Sequence, residues 1–303
     1  MSNVNCNEAT PISTNIAPSI SSGAMLVNLN VSAWTGRKKD KRASAEVTTT
    51  NHARHGSASV NKQLMGNCDE LKAIHSLIGV ARNHTHYNYT MPWSKGGTAL
   101  LTTAAYFTYK PLMEEHQQEF YRLVDVFLAA YSWEITKAQA ELGDLFNDDD
   151  YPTVEELRSK FRFTVEYDPM PESGDWRVDV SREQLNDLEQ QFAKTADRRV
   201  QEAMNDVWTR LHEQLTHFSD RLDYTDDEKK KIFKEATVDN LLSLIDLLDV
   251  LNVTGDPAMR EMKTKLADAT RGITPESLRE DAGLRLTTKK QLDDAIANLP
   301  SLM

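Results

Sequence analysis

Along the segment MLVNLNVSAW, residues 25 to 34, Leu26, Asn28 and Asn30 alternate with Val27, Leu29 and Val31. This period of two marks a half-buried strand. In DELKAIHSLIGVAR the period changes: Leu71, Ile74, Ile78 and Ala81 recur at three and four, predicting an amphipathic helix of about three turns. NHTHYNYTMPWSKGG breaks that pattern, and its Pro92, Gly96 and Gly97 predict an irregular loop.

Beyond it, Pro111 suits the first turn of a helix, where its missing amide proton has no partner anyway. Phe120, Leu123, Val124, Phe127, Tyr131, Ile135, Ala138, Leu142 and Leu145 then form one stripe. The prediction is a helix of roughly 34 residues, about 50 Å long.

Later helix starts are announced by caps. Thr153 with Glu156, Ser181 with Gln184, Thr225 with Glu228 and Thr288 with Gln291 each carry the capping-box spacing. Asp256-Pro257 and Thr274-Pro275 place a capping residue before a proline. Between the first two boxes, FRFTVEY and WRVDV flank DPMPESGD and predict a short hairpin or two short strands. After Ser181, Leu185, Leu188 and Phe192, then Met204, Trp208, Leu211, Leu215, Phe218 and Leu222, step in alternating threes and fours, a coiled-coil-like seam.

Two helices this long pack most readily as antiparallel arms. The expected fold is mainly α with a small β element, an α+β chain: an elongated helical body with two long antiparallel helices, a short hairpin insertion near 161–180 and an N-terminal strand. The expected organisation is a disordered tail (1–24), a small basic mixed α/β part (25–110) and an acidic long-helix body (111–303). The tail is rich in Ser, Thr, Asn and Pro, and Met25 reads as an internal start.

Charge sharpens this division. Of the formal net charge of -11, residues 1–110 carry +6 and the remainder -17, so any contact with a phosphate backbone must come from the first third. Two cysteines, Cys6 and Cys68, argue against a disulfide framework and for a reducing compartment. No stretch reaches the roughly 18 apolar residues of a membrane span. The expected setting is cytoplasmic, with no membrane partner.

Recognised catalytic spacings are missing. HEQLTH, His212 to His217, is one residue too long for a zinc pair, because five steps put the rings about 140° apart on a helix. His75, His84 and His86 have metal-like spacing with only Cys68 or Asp69 as a fourth ligand, and they read first as a polar loop. In WSKGGT, Lys95 precedes both glycines, against the phosphate-loop order. NDDDYP lacks the glycine and distal glutamate of a calcium loop and reads as a solvated turn ending the long helix. No catalytic, cofactor-binding or metal-binding residue is assigned, and the chain reads as non-enzymatic.

The basic run WTGRKKDKR remains, with Arg37, Lys38, Lys39, Lys41 and Arg42 beside Trp34. It reads as a solvated loop, as a phosphate-binding stretch, or as a docking edge for an acidic surface that includes this chain's own C-terminal part.

Together MLVNLNVSAWTGRKKDKR, TMPWSKGGTALL and AELGDLFNDDDYPTVEELRSKFRFTVEYDPMPESGDWRVDV resemble a family of proteins of tailed phages and bacteria with no assigned catalytic residues. The shared features are a Trp-x-Gly-Arg-Lys-Lys stretch, a Pro-Trp loop with a glycine and an LGxxF-DYP block over roughly residues 25–255. Met91 and Trp176 stand where that pattern has leucine and phenylalanine. The resemblance implies a phage accessory protein in an infected bacterial cell, acting as a protein-interaction or adaptor module, with a MoxR-type AAA+ ATPase as one partner. Nucleic-acid binding through the basic stretch and a place in the virion are the alternatives, and oligomerisation through the seam stays open. The candidate interaction surface is Trp34, Arg37, Lys38, Lys39, Lys41, Arg42, Trp93 and Lys95. The opposing reading makes Trp34 and Trp93 core anchors.

Overall fold

The computed structural model describes residues 20–171, 181–223 and 235–300, and it is mainly α-helical around a small antiparallel sheet. One helical turn, α1 (Ile20–Gly23), leads into β1 (Ala24–Ser32). The chain continues through β2 (Arg37–Asp40), α2 (Lys41–Thr50), β3 (Val60–Gln63) and α3 (Asp69–Val80). A π-helical segment (Ala81–His86) and α4 (Tyr87–Tyr89) follow, then the hairpin β4 (Met91–Pro92) and β5 (Ala99–Thr102). Next come α5 (Thr103–Leu142), α6 (Val154–Ser159), β6 (Arg162–Pro169) and α7 (Arg182–Leu222). The chain ends with α8 (Glu235–Leu251), α9 (Pro257–Ala269), α10 (Pro275–Glu280) and α11 (Ala282–Ala297).

The alternation in β1 places the sheet between two layers. Strand order is β4-β5-β1-β6, with Val27 opposite Ala99 and Val31 opposite Phe163. Val27, Ala99 and Leu101 face a core built with Ile74, Phe120, Phe127 and Leu157 from α3, α5 and α6. Ala24 and Leu100 point to the other side, into a core of α7, α8, α9, α10 and α11. Adjacent residues of β5 thus serve opposite layers, as a strand's period of two requires. Burying a side chain such as Phe120 or Phe127, both 0% exposed, stabilises this arrangement by about 1.5–3 kcal/mol each.

Several caps act as the spacing predicts. Thr153 and Ser181 form complete capping boxes with Glu156 and Gln184, Asp256 accepts from the Ala258 amide, and Thr274 caps α10. Thr225 lies outside the described residues. Thr288 is a correction: it is 1% exposed and inside α11, because Asp281 caps that helix earlier by accepting from Leu284 N at 2.9 Å.

Other expectations shift. Of the tail, residues 1–19 lie outside the described part, whereas Ile20–Gly23 is helical and Ala24 begins β1. Pro111 lies inside α5 rather than in its first turn, because Thr102 starts the helix by accepting from Ala105 N at 3.1 Å. The boundary expected at 110/111 therefore falls within one helix. FRFTVEY pairs with β1, and WRVDV lies outside the described residues. The expected loop after α3 is the π-helical segment, α4 and the β4–β5 hairpin. Both long helices are present, with 40 residues in α5 and 41 in α7, but they do not run as paired arms. Each anchors a different layer: α5 packs on α3 and the sheet, α7 on α8 and α11. Among the described residues, no helix is long and apolar enough to cross a membrane.

Candidate functional site

The basic run is a strand and a helix start rather than a loop, with Arg37, Lys38 and Lys39 on β2 and Lys41 and Arg42 opening α2. Gly36 starts the run with φ 63°, and a Cβ there would lie 3.0 Å from Leu71 Cδ2, so glycine is required. β2 pairs with β3 in a register that sets Lys38 directly opposite Lys62. Like charges in that position repel, and both ammonium groups need an anion. Asp150 supplies it: Lys38 Nζ lies 2.7 Å from Asp150 Oδ1, and Lys62 forms an ion pair with Asp150 Oδ2. Lys62 Nζ also lies 3.5 Å from Asp40 Oδ2 and donates to the Leu145 carbonyl at 2.8 Å. Arg42 donates to the Asp144 carbonyl at 2.8 Å.

NDDDYP is therefore not simply a solvated turn. Its Asp150 side chain is 6% exposed, held between the half-exposed Lys38 and the buried Lys62. Burial raises the Asp150 carboxyl, but hydrogen bonds from Lys38 and Lys62 outweigh it and hold the group below its ordinary value. Asp40 is likewise lowered, first by accepting from the Ala43 amide as the cap of α2, against burial, and then by Lys62. Lys38, Arg42 and Lys62 are thus occupied within the chain. Arg37 and Lys39 on the other face of β2, together with Lys41, are exposed and form no ion pair among the described residues.

The two tryptophans of the expected surface separate. Trp34 is half-buried, its ring 6.2 Å from Phe127 and 6.1 Å from Tyr131, and its carbonyl accepts from His75 Nε2 at 3.1 Å. Trp93 is 5% exposed in the opposite layer, with the Arg199 guanidinium 5.5 Å from its ring. Lys95 is exposed in the β4–β5 turn, where Gly97 takes φ 92° and donates to the Ser94 carbonyl at 3.3 Å. Both tryptophans act as packing anchors, and Trp93 and Lys95 do not join the basic strand in one patch.

The histidines also go to different places. His75 meets Trp34, and His86 Nδ1 shares a 2.7 Å hydrogen bond with the Tyr109 hydroxyl. His84 is exposed, and His217 on α7 accepts from Arg221 Nε at 3.2 Å. Burial, aided by the Arg210 charge, lowers the His86 pKa to about 4 and keeps its ring neutral. Arg210 is itself 6% exposed: it donates to the carbonyls of Tyr87 and Thr90, pairs with Asp206 and lies 3.8 Å from the Tyr87 ring.

Among the described residues, Cys68, Glu70 and Glu134 have ligand atoms all within 4.8 Å of one another. Burial pushes the Cys68 thiol up to about 12, so it stays protonated and donates to Glu70 Oε2 at 3.4 Å. Lys137 donates to both oxygens of Glu134, at 2.9 and 3.1 Å. Each member has a partner in the chain, and the group closes on itself.

The feature missed in the sequence is a second stripe on α5. Val126, Ala129, Trp133, Thr136 and Ala140 recur at three and four and are exposed, while Phe127, Tyr131 and Glu134 of the same helix are buried. Trp133 is 66% and Val126 44% exposed. Among the described residues this heptad-like stripe, with a tryptophan at its centre, is exposed.

The chain matches no family model, no curated protein and no solved structure.

Proposed function

We propose that this chain is a non-enzymatic protein-interaction module, an adaptor that docks a partner protein on α5. The supporting observation is Trp133, 66% exposed at the centre of the Val126–Ala140 stripe. Large aromatic side chains on helical surfaces are the residues that anchor interfaces. The internal neutralisation of Lys38, Arg42 and Lys62 supports the same reading, since it removes half of the cations that would otherwise hold a phosphate backbone. The resemblance to phage and bacterial proteins makes an ATPase of the MoxR type the partner to look for first.

A photo-cross-linking amino acid at position 133 tests this in phage-infected cells, with Leu286 on α11, 71% exposed, as the control position. The expected result is a nuclease-resistant protein adduct from position 133 and none from position 286. Equal labelling at both positions, or no protein adduct at 133, overturns the proposal. Trp133→Ala should abolish capture by the tagged protein and leave the melting temperature unchanged.

The second reading is nucleic-acid binding, favoured by the exposed Arg37, Lys39 and Lys41. Retention that falls with salt and disappears when these three are reversed to Glu would establish it.

A further inference from the structure

The π-helical segment Ala81–His86 separates its side chains into two sets. Thr85 and His86 turn towards α5, where they meet His116 at 2.8 Å and Tyr109 at 2.7 Å. Asn83 and His84 line a cleft of about 170 Å³ shared with α4, α7 and α8. π-Helical turns are rare, persist where the local conformation is useful, and are frequent at functional sites.

Four carboxamides converge on this cleft: Asn83 and Asn88 from one side, Gln214 from α7 and Asn240 from α8. These carboxamides make no hydrogen bond among the described residues, and those of Asn83, Gln214 and Asn240 are open to solvent. Arg210, more than nine-tenths buried, also lines the cleft, where its guanidinium is held by Asp206 and by the carbonyls of Tyr87 and Thr90. Leu244 and Leu247 add an apolar wall, and Tyr87, 46% exposed, is fixed against the Arg210 guanidinium.

We infer that this cleft binds a neutral polyhydroxylated ligand, a single pyranose-sized sugar unit. Carboxamides both donate and accept, which suits vicinal hydroxyls that do the same. An aromatic ring and two leucines suit the C–H face of a sugar ring. The volume is below the roughly 300–1,000 Å³ that houses a drug-sized molecule, which selects one ring over a nucleotide. The charges select against an anion: Arg210 is already paired with Asp206, and Glu213 stands at the rim. This inference is independent of the α5 stripe, because the cleft residues lie on other elements.

Saturation-transfer NMR on the full chain tests it with D-glucose, D-galactose, D-mannose and N-acetyl-D-glucosamine, and with adenosine and inorganic phosphate as competing chemistries. The expected result is transfer to at least one sugar with a Kd of about 1 mM or tighter. Asn240→Ala and Gln214→Ala, both at exposed positions, should each weaken binding about tenfold, equivalent to about 1.4 kcal/mol, without changing the melting temperature. Absence of transfer to every sugar overturns the inference, as does a sugar signal that both variants retain. Binding of adenosine or phosphate alone overturns the ligand class.

Discussion

Lys62 shows how a single side chain converts a basic run into structure. Its side chain is 7% exposed and its charge is shared among Asp150, Asp40 and the Leu145 carbonyl, which together replace the water it has lost. Removing one partner of a buried pair leaves the other charge uncompensated, at about 3–5 kcal/mol. Lys62→Met should therefore lower stability by about that much in denaturant titrations, and Asp150→Asn added to it should restore part of the loss. Additive losses would show that the two side chains do not couple. His86 gives a second residue-scale outcome, in pH. Its folded pKa of about 4 lies below the roughly 6.5 of an unfolded histidine, and Arg210 and Tyr109 are the groups that face it. Above pH 6.5 the ring is neutral in both states. As pH falls towards 4, the unfolded chain takes a proton that the folded chain refuses, so stability drops across that window by about 3 kcal/mol. His86→Asn should be less stable at pH 7 yet lose this slope, as read from melting temperatures between pH 7 and 4.5.

At the scale of elements, α5 carries an internal fault. Pro111 has no amide proton to donate to the carbonyl one turn earlier, and its ring crowds that turn, yet the helix continues to Leu142. The Phe127, Tyr131 and Met113 side of the helix is buried deeply enough to carry it through. Pro111→Ala should accordingly stabilise the protein by about 1–3 kcal/mol, since the position is exposed. Calorimetric melting checks it, and a destabilised variant would show that the proline sets a needed bend. The same helix shows what a sequence discloses. Its core stripe was legible because Phe120, Val124, Phe127 and Tyr131 are large and evenly spaced. The exposed stripe through Val126 and Trp133 was hidden beside it, because apolar spacing alone does not say which of two stripes meets the core. Thr153, Ser181, Asp256 and Thr274 were legible because a cap acts on the next turn of its own helix. β2 was read as a loop because its pairing with β3 and the anion that makes it tolerable, Asp150, are remote in sequence. The Arg210 cleft was invisible for the same reason, being assembled from α4, α7, α8 and a π-helical turn.

For the whole molecule, the consequence of a sheet packed on both faces is cooperativity between the two layers. β5 makes the point with neighbours: Leu100 and Leu101 are both 0% exposed, the first in the α7–α11 layer and the second in the α3–α5 layer. Thr102, at the end of the same strand, caps α5 and donates to the Val250 carbonyl of α8 at 2.7 Å, tying the layers once more. Truncating either leucine to alanine should cost about 2–5 kcal/mol, because each leaves a cavity in a closed core. If the sheet couples the layers, Leu100→Ala and Leu101→Ala will each lower one common unfolding midpoint rather than split it into two. Local opening should nevertheless differ, since only the wounded layer loses contacts. Hydrogen exchange should accelerate first in α7 and α8 for Leu100→Ala, and in α3 and α5 for Leu101→Ala. Two calorimetric transitions in either variant would mean that the layers fold as independent units, and the acidic helical layer would then be expected to stand alone when separated from the sheet.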